Sequence, residues 1–263
     1  MNEPAPPPRP RKPRYATTVQ RVQRLTPRML RIVFGGAELA AFNWNGPAAH
    51  IKLILESAGT DPETRPLSRT YTPRHFDAAR RELTVDFVLH GEGPASTWAA
   101  QARVGASMLI AGPGRSYALD AHVQWLLVAG DESAIPAVAT LLEVVPDGIA
   151  TQVLLEVNDA ADEFALAAPR SNVNIRWLHR AQPVLGHGTA VRAGIELAAA
   201  VRAFETPAGE GRLYVACEAD AMRGIRRHLL LERALPRAWL TTRGYWKQGA
   251  TDYPDRDYGE DVG

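Results

Sequence analysis

The chain has 263 residues, 46% of them hydrophobic and 22% charged, with a formal net charge of +1. That is the composition of a soluble globular protein, long enough for one large domain or two ordinary ones. The near-neutral balance argues against a protein built to grip nucleic acid through its phosphates, and no apolar run is long enough to insert in a membrane. A single cysteine, Cys217, excludes an internal disulfide framework and points to a reducing compartment.

Residues 1–13 are rich in Pro and Arg and lack an apolar signal core, so they read as a flexible tail and the default address is cytoplasmic. Tyr15–Val22 and Met29–Phe34 read as two strands around a turn at Leu25–Pro27. His50–Glu56 alternates, with Ile51, Leu53 and Leu55 on one face and His50, Lys52 and Ile54 on the other. Ser57–Leu67 reads as a loop. A strand over Arg69–Thr72 is expected next, then a turn over Arg74–Arg80, then a strand over Glu82–His90. Gly91, Gly93 and Pro94 break that strand. Ser96 or Thr97 is expected to cap a short helix near Trp98–Ala102, and Ser107–Ala111 reads as a strand. Short strands interrupted by one helix predict an antiparallel barrel.

From Gln124 the pattern changes. Trp125–Ala129 is a continuous apolar run, as expected of a strand buried on both faces of a parallel sheet. Gly130–Ser133 turns into a helix carrying Ile135, Val138, Leu142 and Val145. Further strands are expected at Thr151–Val157, Val173–Leu178 and Leu213–Cys217, and the last from Ala238 to Trp246. A second helix carries Val191, Ile195, Ala198, Val201 and Phe204, and a basic one covers Met222–Leu235. This alternation predicts a doubly wound α/β unit. The expected division is a tail (1–13), an antiparallel Greek-key β-barrel (14–120), an α/β domain (121–249) and an acidic tail (250–263).

Chemistry concentrates in two segments. Arg69-Thr70-Tyr71-Thr72 offers a guanidinium fork, an aromatic face and hydroxyls. Asp86 to Ala99 runs from a strand through Gly91 and Gly93 into a helix start, a natural seat for a phosphate. Together they resemble the flavin-binding signature of ferredoxin-reductase-like flavoenzymes, and most closely the siderophore-interacting protein family. Arg69, Tyr71 and Thr72 match its Arg-x-Tyr-Ser/Thr motif; Gly93, Ala95, Ser96, Trp98 and Ala99 match its Gly-x-Ala-Ser-x-Trp-Ala stretch. The resemblance covers roughly residues 14 to 249 and implies FAD held by Arg69, Thr70, Tyr71, Thr72, Asp86, His90, Gly91, Gly93, Ala95, Ser96, Thr97 and Trp98.

The second half lacks Gly-x-Gly-x-x-Gly. Its Val128–Pro136 segment resembles instead the family's loop that meets the pyridine nucleotide. That implies an NAD(P)H site at Gly130, Asp131, Glu132, Ser133 and Pro136, with Glu218 at the end of a later strand and Arg223 beyond it. Arg223, Arg226, Arg227 and His228 offer charge for the 2′-phosphate of NADPH, or form a solvated helix face. The Thr242–Gly249 segment resembles the family's closing motif, placing Tyr245 and Trp246 near the flavin. Lys52, Arg243 and Lys247, with His50 beside them, then form a basic rim for an anionic ferric siderophore. Cys217, after an apolar strand, reads as a structural thiol. No His or Cys spacing suits a protein-held metal, and no residue is singled out as a catalytic acid or base.

The expectation is therefore a monomeric, cytoplasmic oxidoreductase with FAD and NAD(P)H, reducing siderophore-bound Fe(III). Two alternatives stay open: a general NAD(P)H–flavin or ferredoxin-type reductase, and a non-enzymatic siderophore-binding or flavin-sensing protein.

Overall fold

The computed structural model describes residues 12–55, 66–89, 93–120, 122–166, 170–180, 192–250 and Tyr253. Two sheets organise it. The first holds seven antiparallel strands: β1 (Arg14–Thr26), β2 (Met29–Gly35), β3 (Ile51–Ile54), β4 (Ser68–Tyr71), β5 (Pro73–Asp77), β6 (Glu82–Val88) and β7 (Ser107–Ala111). Their order across the sheet is β4-β3-β7-β1-β2-β6-β5. Both edge strands, β4 and β5, are consecutive in the chain and separated by Thr72 alone. The sheet therefore curls until its edges meet, and the curl encloses a core of Val19, Ile32, Phe34, Leu53, Leu83, Val85, Phe87 and Ile110. These side chains come from alternate positions along their strands, which is the geometry that packs one face of a sheet inward.

The expected turn over Arg74–Arg80 instead contains β5. Its sequence is polar because it is an edge, and Pro73, with no N–H to donate, is tolerated there. The expected helix near Trp98 starts earlier, as α1 (Pro94–Ala100). No side chain caps it: Gly93, at φ 109°, turns the chain, and Pro94 supplies a φ already suited to a first helical turn. His90 and Gly91 lie outside the described residues, as does most of the expected loop at Ser57–Leu67.

The second sheet holds five parallel strands, β8 (Trp125–Asp131), β9 (Ala150–Val157), β10 (Val173–His179), β11 (Gly211–Glu218) and β12 (Leu240–Trp246). Their order is β10-β9-β8-β11-β12. The helix α2 (Ile135–Leu142) covers one face; α3 (Ile195–Ala203) and α4 (Ala219–Arg227) cover the other, through Leu197, Val201, Met222 and Ile225. The basic helix expected to reach Leu235 is divided. After α4 the chain forms a π-helical turn over His228–Glu232, with the His228 ring buried and its Nδ1 2.7 Å from Glu232.

Every residue of α2 is buried, because the helix lies between its own sheet and the barrel. Met29, Leu25 and Val88 of the barrel pack into the same apolar cluster as Val138, Leu141 and Val153. Polar contacts rim that interface. Arg28 reaches Asp159 (3.1 Å) and Asp162 (2.7 Å), Arg74 reaches Glu143 (2.5 Å), and the Ala48 amide donates to Thr140 Oγ1 (2.9 Å). The two sheets are thereby docked with their functional edges facing each other.

Candidate active site

A cleft of 1120 Å³ opens where the seam of the barrel faces the C-terminal ends of the parallel strands. Ligand pockets for single small molecules run to about 1,000 Å³, so this cleft stands at the large end and suits an extended ligand. The seam contributes Arg69, Thr70, Tyr71 and Thr72, with Lys52 and Asp86 beside them; the entry to α1 contributes Gly93, Ala95 and Ser96. The opposite wall is Glu132, Ser133 and Pro136, and the end of β12 adds Arg243, Gly244, Tyr245, Trp246 and Lys247. These are positions the sequence singles out, drawn from segments up to 195 residues apart in numbering (Lys52 to Lys247) and brought together by the curl of the barrel and the parallel sheet.

Other expected residues lie elsewhere. Thr97 is exposed and outside the lining, and Trp98 packs in the barrel core with Phe34 and Phe87, ring centroids 6.0 Å away in each case. Gly130, Asp131 and Glu218 are buried beneath the cleft wall rather than in it, and Arg223 stands outside the lining. Of the basic helix, Arg226 is buried and lines the cleft, its Nη1 donating to Thr242 Oγ1 at 3.0 Å, while Arg227 is exposed.

Residues the sequence reading passed over also line it: Lys12, Arg115, Tyr117 and Arg237. His50 joins Lys12 in the lining, its Nε2 3.1 Å from Lys12 Nζ. The imidazole rests on Gly114, where any Cβ would stand 1.9 Å from Nε2. Only glycine leaves room for that ring. Among the described residues, the lining thus carries eight Lys and Arg side chains and two carboxylates, Asp86 and Glu132. Both carboxylates are already paired outside it.

Asp86 is held by Arg31, directly opposite in the β2–β6 register, through two hydrogen bonds of 2.8 Å. Glu132 receives both terminal nitrogens of Arg180, at 2.8 and 2.5 Å. The Arg180 Nε donates to Glu156, a fully buried carboxylate, at 2.8 Å. Although burial opposes its charge, the bonds to Glu132 and the nearby carboxylates raise the Arg180 pKa further.

Beneath the wall, Asp131 is a junction of three strand ends. Its Oδ1 accepts from Ser133 N (3.0 Å) and Ser133 Oγ (2.5 Å); its Oδ2 accepts from Glu218 N and Trp246 Nε1, both at 2.8 Å. Burial, reinforced by the charge of Glu132, pushes its pKa up to about 7 despite those donors. A tyrosine group closes the interdomain side: the hydroxyls of Tyr214 and Tyr245 are 2.9 Å apart, Tyr117 packs edge-on against Tyr214, and Thr72 hydrogen-bonds Tyr245. Burial raises the pKa of all three phenols and of Tyr71. They remain neutral hydrogen-bonding groups at any ordinary pH. Cys217 is fully buried and its thiol is pushed well up by burial, so it is a packing residue.

An antiparallel half-barrel docked on a five-stranded parallel sheet, with a large cleft at the seam, is the architecture of ferredoxin-reductase-like flavoprotein reductases. Within that class, a siderophore-interacting FAD-binding domain model matches residues 18–64 and 58–117, and a siderophore-interacting protein model matches residues 123–249. The chain is 32% identical to ferric vibriobactin reductase of Vibrio cholerae, over 85% of this chain and 86% of that protein. It is 31% identical to the NADPH-dependent ferric-chelate reductase of Escherichia coli, over 87% and 91%. A solved siderophore utilization protein from T. fusca superposes with a TM-score of 0.78 at 34% identity, covering 94% of this chain and 96% of that one. The chain belongs to the siderophore-interacting protein family.

Proposed function

We propose that this protein is an NAD(P)H-dependent, FAD-containing ferric-siderophore reductase, converting chelated Fe(III) to Fe(II) so that the weakened complex releases the metal. The observation that carries this reading is the cation-lined cleft at the seam of the two sheets, built around Arg69-Thr70-Tyr71-Thr72. The residues there fit a flavin. Arg69 offers a fork for phosphate oxygens and Tyr71 an aromatic face, and Thr70 Oγ1 is buried with no partner among the described residues. An unpaired buried hydroxyl costs about 1–3 kcal/mol, which a ligand acceptor or donor removes. Bound FAD would take an electron pair as hydride from NAD(P)H and release electrons singly.

The protein's own part is to bind, orient and bias. Glu132, Ser133 and Pro136 present the donor nucleotide from the parallel-sheet side. Lys52, Arg243 and Lys247, with Arg115 and Arg237 nearby, attract an anionic chelate. Because the Fe(II) complex carries one more negative charge than the Fe(III) complex, a cationic surround favours the reduced form. The reaction as read needs no protein acid or base, and we place it in the cytoplasm with the protein acting as a monomer. No helix among the described residues is long and apolar enough to cross a membrane.

The test is anaerobic. FAD-loaded protein should bleach on addition of NADH or NADPH, and a ferric siderophore should restore the colour with stoichiometric Fe(II) trapped by a ferrous chelator. Flavin that stays oxidised with both nucleotides, or stays reduced in the presence of every ferric chelate tried, overturns the reading.

A further inference from the structure

Asp131 ends β8 fully buried, yet it stands one hydrogen bond from the cleft: its Oδ1 accepts from Ser133 Oγ at 2.5 Å, and Ser133 lines the wall. The other three groups on this carboxyl are N–H donors. Oδ2 accepts from Glu218 N and Trp246 Nε1, both at 2.8 Å, and Oδ1 accepts from Ser133 N at 3.0 Å. A backbone amide or an indole nitrogen can only donate, so none of these three bonds can reverse. A hydroxyl rotates and can either donate or accept. A proton added to Asp131 therefore meets an acceptor in one place, on Oδ1 facing Ser133 Oγ.

That bond ties the state of the buried carboxyl to the surface of the wall. With Asp131 ionised, the Ser133 hydroxyl donates inward and shows the cleft only its lone pairs. With Asp131 protonated, Oδ1–H donates to Ser133 Oγ and the serine hydrogen turns outward. The charged and titratable neighbours, among the described residues, come from every strand end packed here: Glu132 after β8, Glu156 opposite Asp131 on β9, Arg180 after β10, Cys217 and Glu218 on β11, and Tyr245 on β12. Arg180 holds both Glu132 and Glu156, and Glu218 accepts from Ala221 N (2.9 Å) and Gln248 N (3.2 Å). Burial keeps the Cys217 thiol and the Tyr245 phenol neutral. Asp131, raised to about 7 by burial and by the charge of Glu132, is placed to exchange its proton near neutrality.

We propose that Asp131 and Ser133 form a proton-linked contact for the donor nucleotide: Asp131 Oδ1 takes up one proton from solvent as the nucleotide binds, and the Ser133 hydroxyl, released from the carboxylate, donates to an acceptor oxygen of the nucleotide. This contact rests on the reductase reading above, which sets the nucleotide against Glu132, Ser133 and Pro136, and it adds the group that tunes the binding. Ligand chemistry sets the direction. A pyridine nucleotide is anionic and rich in acceptor oxygens, so it favours the state with an outward O–H and one buried negative charge fewer. Asp131 acts through Ser133 and is a positioning residue; the proton stays on Oδ1 while the nucleotide is bound, and no covalent bond to the nucleotide forms.

The experiment is calorimetric titration of the FAD-loaded protein with NAD+, whose phosphates hold no proton that titrates near neutrality, from about pH 6 to 8 in buffers of different ionisation enthalpy. The expected result above about pH 7 is uptake approaching one proton per nucleotide, with Kd rising up to about tenfold per pH unit. Ser133→Ala should abolish the uptake, Ser133→Thr should retain it, and Asp131→Asn should lose it, with the flavin absorbance spectrum reporting that each variant is folded. A purely structural Asp131 would instead weaken binding equally at every pH. If only NADP+ binds, the proton linkage of its 2′-phosphate is common to wild type and Ser133→Ala and cancels between them. Binding without proton uptake by the wild type, or uptake that survives Ser133→Ala, overturns the contact. Bleaching separates the two questions: if NADH or NADPH reduces the flavin while the oxidised nucleotide binds without a proton, the reductase stands and the contact falls; if neither nucleotide binds or bleaches, the reductase reading falls and takes the contact with it.

Discussion

Trp246 Nε1 donates to Asp131 Oδ2 at 2.8 Å, joining the last strand of the parallel sheet to the first across 115 residues of chain. Because the same carboxylate also holds Ser133 and Glu218, one buried group sets the positions of the Glu132–Pro136 wall and the Gly244–Lys247 wall together.

Asp131→Asn should therefore loosen both walls. An amide nitrogen must face one of the four donors, so a hydrogen bond becomes a donor–donor clash, and a loss of about 1–3 kcal/mol is expected in urea unfolding. The pH dependence has a definite sign. The carboxyl is raised from 3.8 to about 7, chiefly by burial, so between those values the folded protein keeps a proton that the unfolded chain releases. The favourable contribution is complete below the lower value and is lost as pH rises through the upper one. The difference in unfolding free energy between wild type and Asp131→Asn, measured from pH 5 to 8, should shift in the direction of wild-type loss. A flat difference contradicts the assignment.

Arg31→Met should be costly for a different reason. It strands the Asp86 carboxylate, whose side chain is 1% exposed, on the cleft-facing side of β6, opposite the face that packs into the barrel core. Removing one partner of such a pair costs about 3–5 kcal/mol, whereas replacing both by apolar groups is often neutral. Arg31→Met/Asp86→Leu should accordingly recover most of the lost stability in the same denaturation assay. If the double variant is as unstable as the single one, the pair contributes more than charge compensation.

Arg180→Lys tests geometry rather than charge. Lysine keeps the cation, but its single nitrogen cannot span Glu132 and Glu156 as the three nitrogens of the Arg180 fork do. Because Glu132 lines the cleft, the expectation is a raised KM for NAD(P)H with kcat for the ferric chelate half-reaction little changed. Thermal melting should fall as well, since the buried Glu156 loses a hydrogen-bond donor.

Arg69→Ala should lower FAD affinity by about 10- to 100-fold, the range for losing one charged hydrogen-bond donor set. Equilibrium dialysis of the apoprotein with FAD measures it directly. Retention of flavin at wild-type affinity would remove Arg69 from the binding site.

Much of this architecture was legible in the chain because burial imposes a period. The alternation at Ile51–Leu55 and the unbroken apolar run at Trp125–Ala129 identify a one-sided and a two-sided sheet, and the cleft-facing seam follows a recognisable motif at Arg69–Thr72. What escaped has physical causes. Strand β5 is a polar edge, so no hydrophobic face marks it. Helix α1 begins on a glycine and a proline, where a search for hydroxyl caps looks too late. Glu156 did carry a signal, as a lone acid in the apolar strand Val153–Val157, and a buried charge there demands a partner. That its partner is Arg180, and that Asp131 meets Trp246, are facts of strand order that local patterns do not contain.

The seam between β4 and β5 is a single residue, Thr72, flanked by the Ile51–Tyr71 and Pro73–Val85 pairings. Such a junction has no slack: inserting a residue, or pulling the two strands apart, must break pairing on one side or the other. The barrel wall thus behaves as a fixed template. On the reading proposed above, any adjustment to chelates of different size falls to the side chains that line the cleft, not to the backbone at Thr72.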